Sequence, residues 1–226
     1  MSSSCPRRFG GNWPPREFAA ELARTVAAFR SSHPEIVYEG MGVSVPGRVD
    51  ESGRLVFAPN LRWEGMELRQ PIERAVGLPI VLENAASACA LAELWFGRQA
   101  DTVQHLVAVT VSEGVGVGLL VNSQVVHGRD AMAGEFGHIT LDEQGPPCAC
   151  GKRGCWEQYA SNSAAVRHYQ ELVGAGADRR SGAKDAAPTF ADVLRLAGDG
   201  DAHATAALDR MAHYIGVGVA SLIVGL

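Results

Sequence analysis

Four side chains in this sequence have the types and spacing of a metal site. His138, Cys148, Cys150 and Cys155 follow one another as H-x9-C-x-C-x4-C. Three soft thiolates and one imidazole complete the tetrahedral shell of a zinc ion and leave no position open for water, so such a centre is structural and not hydrolytic. Glycines 145, 151 and 154 and the Pro146-Pro147 pair supply the tight turns that bring sulfurs to about 2.3 Å from one ion. The plainer readings are reduced thiols in a surface loop or a Cys148–Cys155 disulfide; clustered Cys and His at metal spacing in an intracellular chain favours the metal. Cys5 and Cys89 stand apart and read as a tail residue and a small apolar helix residue.

The elements that must carry these residues follow from periodicity and punctuation. Pro14-Pro15 precedes Phe18, Leu22, Val26 and Phe29, an amphipathic helix ending near Ser31. Ile36 to Val45 is a β-rich run stopped by Pro46-Gly47. A helix over Leu68 to Val76 leads through Gly77-Leu78-Pro79 into Ile80-Val81-Leu82, a short buried strand. Asn84 then caps a helix that runs to Phe96 and stops at Gly97. This alternation is that of an α/β layer. A second unit opens near Val103, where His105 to Val111, Gly114 to Val121 and Gln124 to Val126 form an antiparallel meander with Asn122-Ser123 as a two-residue turn. Past the cysteine loop the pattern is helical from Trp156 to about Val173. Gly174 to Pro188 is a flexible loop, and Thr189–Gly198 and Asp201–Leu226 are two further helices.

Composition bounds the partners. The 226 residues carry 20 Lys+Arg and 25 Asp+Glu, a net charge of −5, which excludes a basic nucleic-acid surface on this stretch. With 46% hydrophobic and 20% charged residues the chain can bury a core and is not of the disordered class. The longest apolar run free of acidic and basic residues, Met211 to Leu226, falls short of the roughly 20 residues of a membrane span, and the first residues lack the apolar core of a secretory signal. Five cysteines, three of them within eight residues, do not make a disulfide scaffold, so the expected setting is reducing and cytoplasmic, with no membrane partner.

The metal-binding segment also carries a resemblance. Gly134-Glu135-Phe136-Gly137-His138, followed by Cys148-Ala149-Cys150-Gly151-Lys152-Arg153-Gly154-Cys155-Trp156-Glu157 and Ser161, resembles the signature of the ROK family of bacterial sugar kinases and sugar-responsive repressors. Val45-Pro46-Gly47, Ala58-Pro59-Asn60-Leu61, Leu78-Pro79 through Glu83-Asn84 to Ala92-Glu93, and Tyr214 with Gly216 extend the likeness over roughly residues 16 to 226. The resemblance implies an α/β fold of the actin-like, hexokinase-type (ribonuclease H-like) two-lobed class. It also implies a small-molecule sugar, a hexose or N-acetylhexosamine, held by Asn60, Asn84, Glu135, His138 and Glu157, and assembly into homo-oligomers. The chemistry of those residues agrees with this: amides and carboxylates match vicinal hydroxyls, and a metal-bound imidazole presents its second nitrogen in a fixed tautomer.

Two positions depart from the family's kinases. They carry Asp directly after the Asn of this motif, to take the proton from the sugar hydroxyl that attacks the γ-phosphate, and here that residue is Ala85. They carry Gly-Thr-Gly in the phosphate-cradling turn, where this chain has Ser112-Glu113-Gly114. The resemblance also implies an Asp-Gly-Gly-Thr strand meander ahead of Arg16 and further strand and helix after Ile223, so the fold is expected to be truncated at both ends. The expected organisation is a tail at 1–15, a remnant N-terminal lobe at 16–101 and a C-terminal lobe at 102–226, with the zinc loop at 138–155. The expected function is the sugar-binding effector domain of a regulator, without catalytic residues, whose DNA-binding helix-turn-helix would lie upstream. An ATP-dependent sugar kinase is the alternative.

Overall fold

The computed structural model describes residues 14–98, 102–176 and 187–225, so Cys5 and most of the expected loop after Gly174 lie outside the described residues. The chain forms two compact units. One comprises the residues up to Ala108 together with Gly118–Gly134, and the other comprises Val109–Val117 and the chain from Glu135 onward.

The first unit opens with helix α1 (Pro15–Ser32), which has proline at its first position, where the missing N–H leaves no helical bond unmade. Phe18, Leu22 and Val26 turn its apolar stripe onto a core that includes Leu55, Leu68, Ile72 and Ile80. Strand β1 is confined to Met41–Val45, shorter than the apolar run predicts. Its parallel partner β5 (Ile80–Asn84) begins at the register pair Met41↔Ile80, so Ile36 and Val37 have no strand to pair with and stand exposed. The strand β5 expected to be buried alternates instead, with Ile80 and Leu82 buried and Val81 exposed.

Sequence patterning did not separate the three short strands β2 (Arg48–Val49), β3 (Arg54–Ala58) and β4 (Trp63–Glu67), which form an antiparallel sheet in that order. Their first turn is built by Asp50, whose Oδ1 accepts hydrogen bonds from the Ser52 hydroxyl and from the Ser52 and Arg54 backbone N–H groups. The Ser52 hydroxyl is the main reason that this carboxyl titrates below its ordinary value. Helix α2 (Arg69–Val76) buries Ile72 and Val76 and ends at the left-handed Gly77. Helix α3 (Ala85–Phe96) starts as expected, with the Asn84 side chain accepting from the Ala86 and Ser87 N–H groups.

A third sheet has the order β6 (Leu106–Val111), β7 (Val115–Val121), β8 (Gln124–Val125). Asn122 and Ser123 both take positive φ, 51° and 61°, the conformation of a two-residue turn whose twist matches the strands it joins.

In the second unit the expected single helix after Trp156 is two: α4 (Glu157–Ala160) and α5 (Asn162–Gly176). Ser161 is extended between them, and its hydroxyl accepts from the Ala164 N–H, an interruption that helical periodicity does not register. Helix α6 (Phe190–Gly198) is started by a reciprocal Thr189/Asp192 capping box and is followed by α7 (Ala202–Gly225). Alanines 160, 164, 165, 204 and 207 are fully buried, which lets α4, α5 and α7 pack closely. His168 on α5 is buried with Nε2 3.1 Å from the Tyr159 carbonyl oxygen, and burial lowers its pKa, favouring the neutral imidazole. By length and composition α7 meets the requirements of a span; it packs on α4, α5 and α6 through one buried stripe, Ala204, Ala207, Met211, Gly218 and Leu222.

Trp156 fixes how α7 docks. Its indole is fully buried, its Nε1–H donates to the Tyr214 carbonyl at 2.7 Å, and its ring lies against Gly218 so closely that a β-carbon there would fall inside it. Replacing Gly218 with alanine therefore forces the indole or α7 to move, at a cost of about 1–3 kcal/mol. Thermal or urea unfolding should show a clear loss, whereas Gly216→Ala, on the same helix with open space at its β-carbon, should be neutral or stabilising.

Candidate metal centre

The cysteine loop is a small hairpin. Backbone bridges Thr140↔Cys155 and Pro147↔Arg153 bracket it, and Cys148 N–H to Lys152 O (2.8 Å) and Gly151 N–H to Cys148 O (3.0 Å) close its tip. Gly154 takes φ +60° with its Cα against the Asp142 carbonyl, a place no side chain can occupy. The adjoining Trp156 anchors the loop to α7. Sequence reasoning did not single out this tryptophan, although its position directly after the last cysteine is the signal for it.

Within this frame the Sγ atoms of Cys148, Cys150 and Cys155 and a ring nitrogen of His138 all lie within 4.8 Å of one another. All three cysteines are free in this structure. At the tetrahedral angle two sulfurs about 2.3 Å from one ion stand about 3.8 Å apart, and a sulfur and an imidazole nitrogen at about 2.1 Å stand about 3.6 Å apart. Cys150 Sγ to Cys155 Sγ and Cys148 Sγ to His138 Nδ1 are both 3.6 Å. The donors and their spacing thus fit one tetrahedral metal ion. Burial raises the thiol pKa of Cys148, and the neighbouring Glu157 raises it further; burial and Cys150 do the same for Cys155. Without a cation these thiols hold their protons.

Two carboxylates flank the four donors. Glu135 and His138 begin and end a 3₁₀ turn, whose three-residue period stacks positions i and i+3 on one edge. His138 Nε2 is 3.7 Å from Glu135 Oε2, while Nδ1 faces Cys148 and stands 3.6 Å from Glu157 Oε1. Glu157 opens α4, is buried, and has its Oε1 3.0 Å from Cys148 Sγ. The imidazole therefore turns one nitrogen toward the thiols and the other toward a carboxylate, the arrangement that fixes the tautomer of a metal-bound histidine.

Of the sequence-predicted residues, Glu135, His138, Cys148, Cys150, Cys155 and Glu157 come together in the second unit. Asn60 and Asn84 belong to the first, Asn60 in a 3₁₀ turn (Pro59–Leu61) between β3 and β4. Asn84 does more than cap α3, since its Nδ2 donates to the Gly47 carbonyl at 2.7 Å. One amide N–H then remains for a ligand. Ala85 is the first residue of α3 and offers only a methyl group. Glu113 is exposed but not without a partner: its Oε2 accepts from the Ser163 hydroxyl at 2.8 Å, and the Asn162 N–H donates to the Ser112 carbonyl at 2.7 Å. Those bonds tie the Ser112–Gly114 turn to the start of α5. Sequence reasoning also missed His127, whose Nε2 is 3.0 Å from Glu83 Oε2.

Comparison with known proteins places this geometry. The chain is 33% identical over 184 residues to the xylose repressor of Bacillus subtilis, covering 81% of this chain and 44% of that protein. Among solved structures, a ROK family glucokinase from Streptomyces griseus in complex with glucose and AMPPNP superposes with TM-score 0.78 at 31% identity, over 92% of this chain and 69% of that one. A ROK family transcriptional regulator, a homologue of the Escherichia coli MLC protein, superposes with TM-score 0.74 at 29% identity, over 91% and 52%. The chain thus spans about half the length of the repressor and regulator that it matches, and its fold is the actin-like, hexokinase-type α/β architecture they share. The ROK family profile matches residues 7–226, and the chain belongs to that family.

Proposed function

We propose that this chain is the sugar-sensing region of a ROK-type transcriptional regulator, held together by a structural zinc ion and without phosphoryl-transfer activity. The observation that carries the proposal is His138. One nitrogen faces three cysteine thiols and the other faces Glu135, so the group that would meet a sugar is oriented by the group that would hold a metal. The regulator reading draws on the xylose repressor and MLC-homologue likenesses, and on Ala85, which has no atom that can accept the proton of an attacking hydroxyl.

In this reading a hexose or N-acetylhexosamine is the ligand. Its hydroxyls are the expected partners of Glu135, His138 and Glu157, with Asn60 and Asn84 as the further contacts that the family resemblance implies. Zinc supplies a positive centre that neutralises the thiolates and stiffens the loop. DNA is contacted by a helix-turn-helix outside this stretch, and the regulator works as a homo-oligomer in the cytoplasm. The glucokinase likeness favours a second reading, an ATP-dependent sugar kinase. Against it, the turn expected to cradle phosphate carries Glu113, an anion already engaged by Ser163.

Protein purified without added zinc should contain one zinc per chain, with Cys155→Ala losing most of it and melting at a lower temperature. Elemental analysis near zero with the thiols intact would refute the metal assignment. Chelation should weaken sugar affinity by on the order of tenfold, read by calorimetry against D-glucose, D-xylose and N-acetyl-D-glucosamine; equal affinity in both states, with the fold retained, would separate the cysteine loop from the sugar site. A coupled ATPase assay on the full-length protein should show no sugar-dependent turnover, and saturable turnover would move the assignment to the kinase reading.

A further inference from the structure

The first unit holds a histidine–carboxylate pair that neither the metal loop nor the expected sugar contacts include. Glu83 precedes Asn84 at the end of β5, and its two oxygens serve different partners. Oε1 accepts the backbone N–H of Asn84 at 2.7 Å, and Oε2 pairs with His127 Nε2 at 3.0 Å. The Glu83 side chain is only 18% exposed, so little water is available to replace the imidazole if it is removed.

His127 stands at the entrance to a loop of unusual backbone. Gly128 has φ 65° with ψ −179°, a region open to glycine alone, and Asp130 and Ala131 follow with φ of 57° and 54°. The loop closes on itself through Ala133 N–H to His127 O at 2.9 Å. A left-handed alanine is held only where its surroundings over-determine it. The His127–Glu83 bond is a tie that pins this loop to β5.

The tie ends on Asn84, whose side chain is already triply bonded: two N–H groups of α3 reach Oδ1, and Nδ2 reaches Gly47. Its remaining N–H therefore points in a direction set by its backbone, and Glu83 holds that backbone N–H. We infer that His127 is a positioning residue for the sugar contact of Asn84, acting through Glu83, and that the Glu83 carboxylate is consumed in this role and does not replace the base missing at Ala85. The inference rests on the sugar-binding reading proposed above.

The test compares His127→Leu, which leaves Glu83 Oε2 without its donor, with His127→Gln, whose amide nitrogen can still reach it. Affinities are measured by calorimetry for D-glucose, D-xylose and N-acetyl-D-glucosamine, then for the monodeoxy series of the sugar that binds best. Asn84→Ser keeps a capping oxygen but removes the amide N–H groups, so the deoxy sugar it no longer discriminates against identifies the hydroxyl met by Asn84. The expected result for His127→Leu is about a fivefold loss for the parent sugar and no loss for that one deoxy sugar, with His127→Gln within about twofold of the native protein.

Unchanged affinity in a folded His127→Leu variant, or an equal loss across the whole deoxy series, would overturn the role. Should His127→Leu fail to fold, His127→Phe replaces it, because a phenyl ring fills the place of the imidazole without a donor for Glu83 Oε2; the same losses are expected and the same outcomes overturn the inference. Failure of the native protein to bind any of the three sugars overturns the sugar-binding reading, and this role with it. Binding to the native protein with an insensitive His127 overturns this role alone.

Discussion

Three thiolates beside a buried carboxylate cannot all carry their charge without a cation. Three thiols and an imidazole with ligand atoms all within 4.8 Å, and a buried carboxylate 3.0 Å from one of the sulfurs, form either a protonated cluster or the shell of a metal ion. Burial pushes the Cys148 and Cys155 thiols toward the protonated form, so a fully ligated state would need an ion that displaces those protons. The rest of the second unit is organised around making that convergence possible. Two backbone bridges bring Cys155 back beside Thr140, a left-handed glycine lets the strands touch, and a buried tryptophan one residue later locks the loop to α7.

Because His138 belongs both to that shell and to the turn that carries Glu135, the stiffness of the loop reaches the side chains proposed to meet a sugar. A loop carboxylate would ordinarily sample several rotamers, and ordering it on binding costs free energy. Glu157 is held by its burial at the head of α4, beside Cys148 and His138, and Glu135 by its place one 3₁₀ turn from His138. Such a site spends little of its binding free energy on ordering itself. In the proposed reading, this stiffness is what a structural metal with no open coordination position would contribute to sugar recognition.

The first unit reaches the same end with hydrogen bonds. Asn84 closes β5, starts α3 and holds Gly47, while Glu83 beside it holds the Asn84 backbone and His127. A residue with so many structural duties is poorly placed to move during a reaction and well placed to present one fixed donor. In the proposed reading, the neighbouring Ala85 leaves no proton acceptor where the family's kinases carry Asp, which favours recognition over turnover.

The sequence alone was enough for the chemistry that depends on residue type and local spacing. The meeting of His138 with Cys148, Cys150 and Cys155, the Asn84 cap, the Asn122-Ser123 turn and the helices at both ends were all legible, because caps, turns and clustered cysteines act over a few residues and leave their marks in neighbouring positions. What it could not determine were contacts between residues far apart in the chain. The strand predicted from Ile36 begins only at Met41 because its length is set by β5, about forty residues later. The β2–β3–β4 sheet hid because two-residue and five-residue strands show little alternation. The pairing of His127 with Glu83, the seat of Trp156 against Gly218 and the bond from Glu113 to Ser163 join positions 44 to 62 residues apart, and no periodicity encodes such a meeting. Only the packing of helices and sheets around a shared core brings those side chains within hydrogen-bonding or van der Waals distance, and so only the tertiary structure decided them.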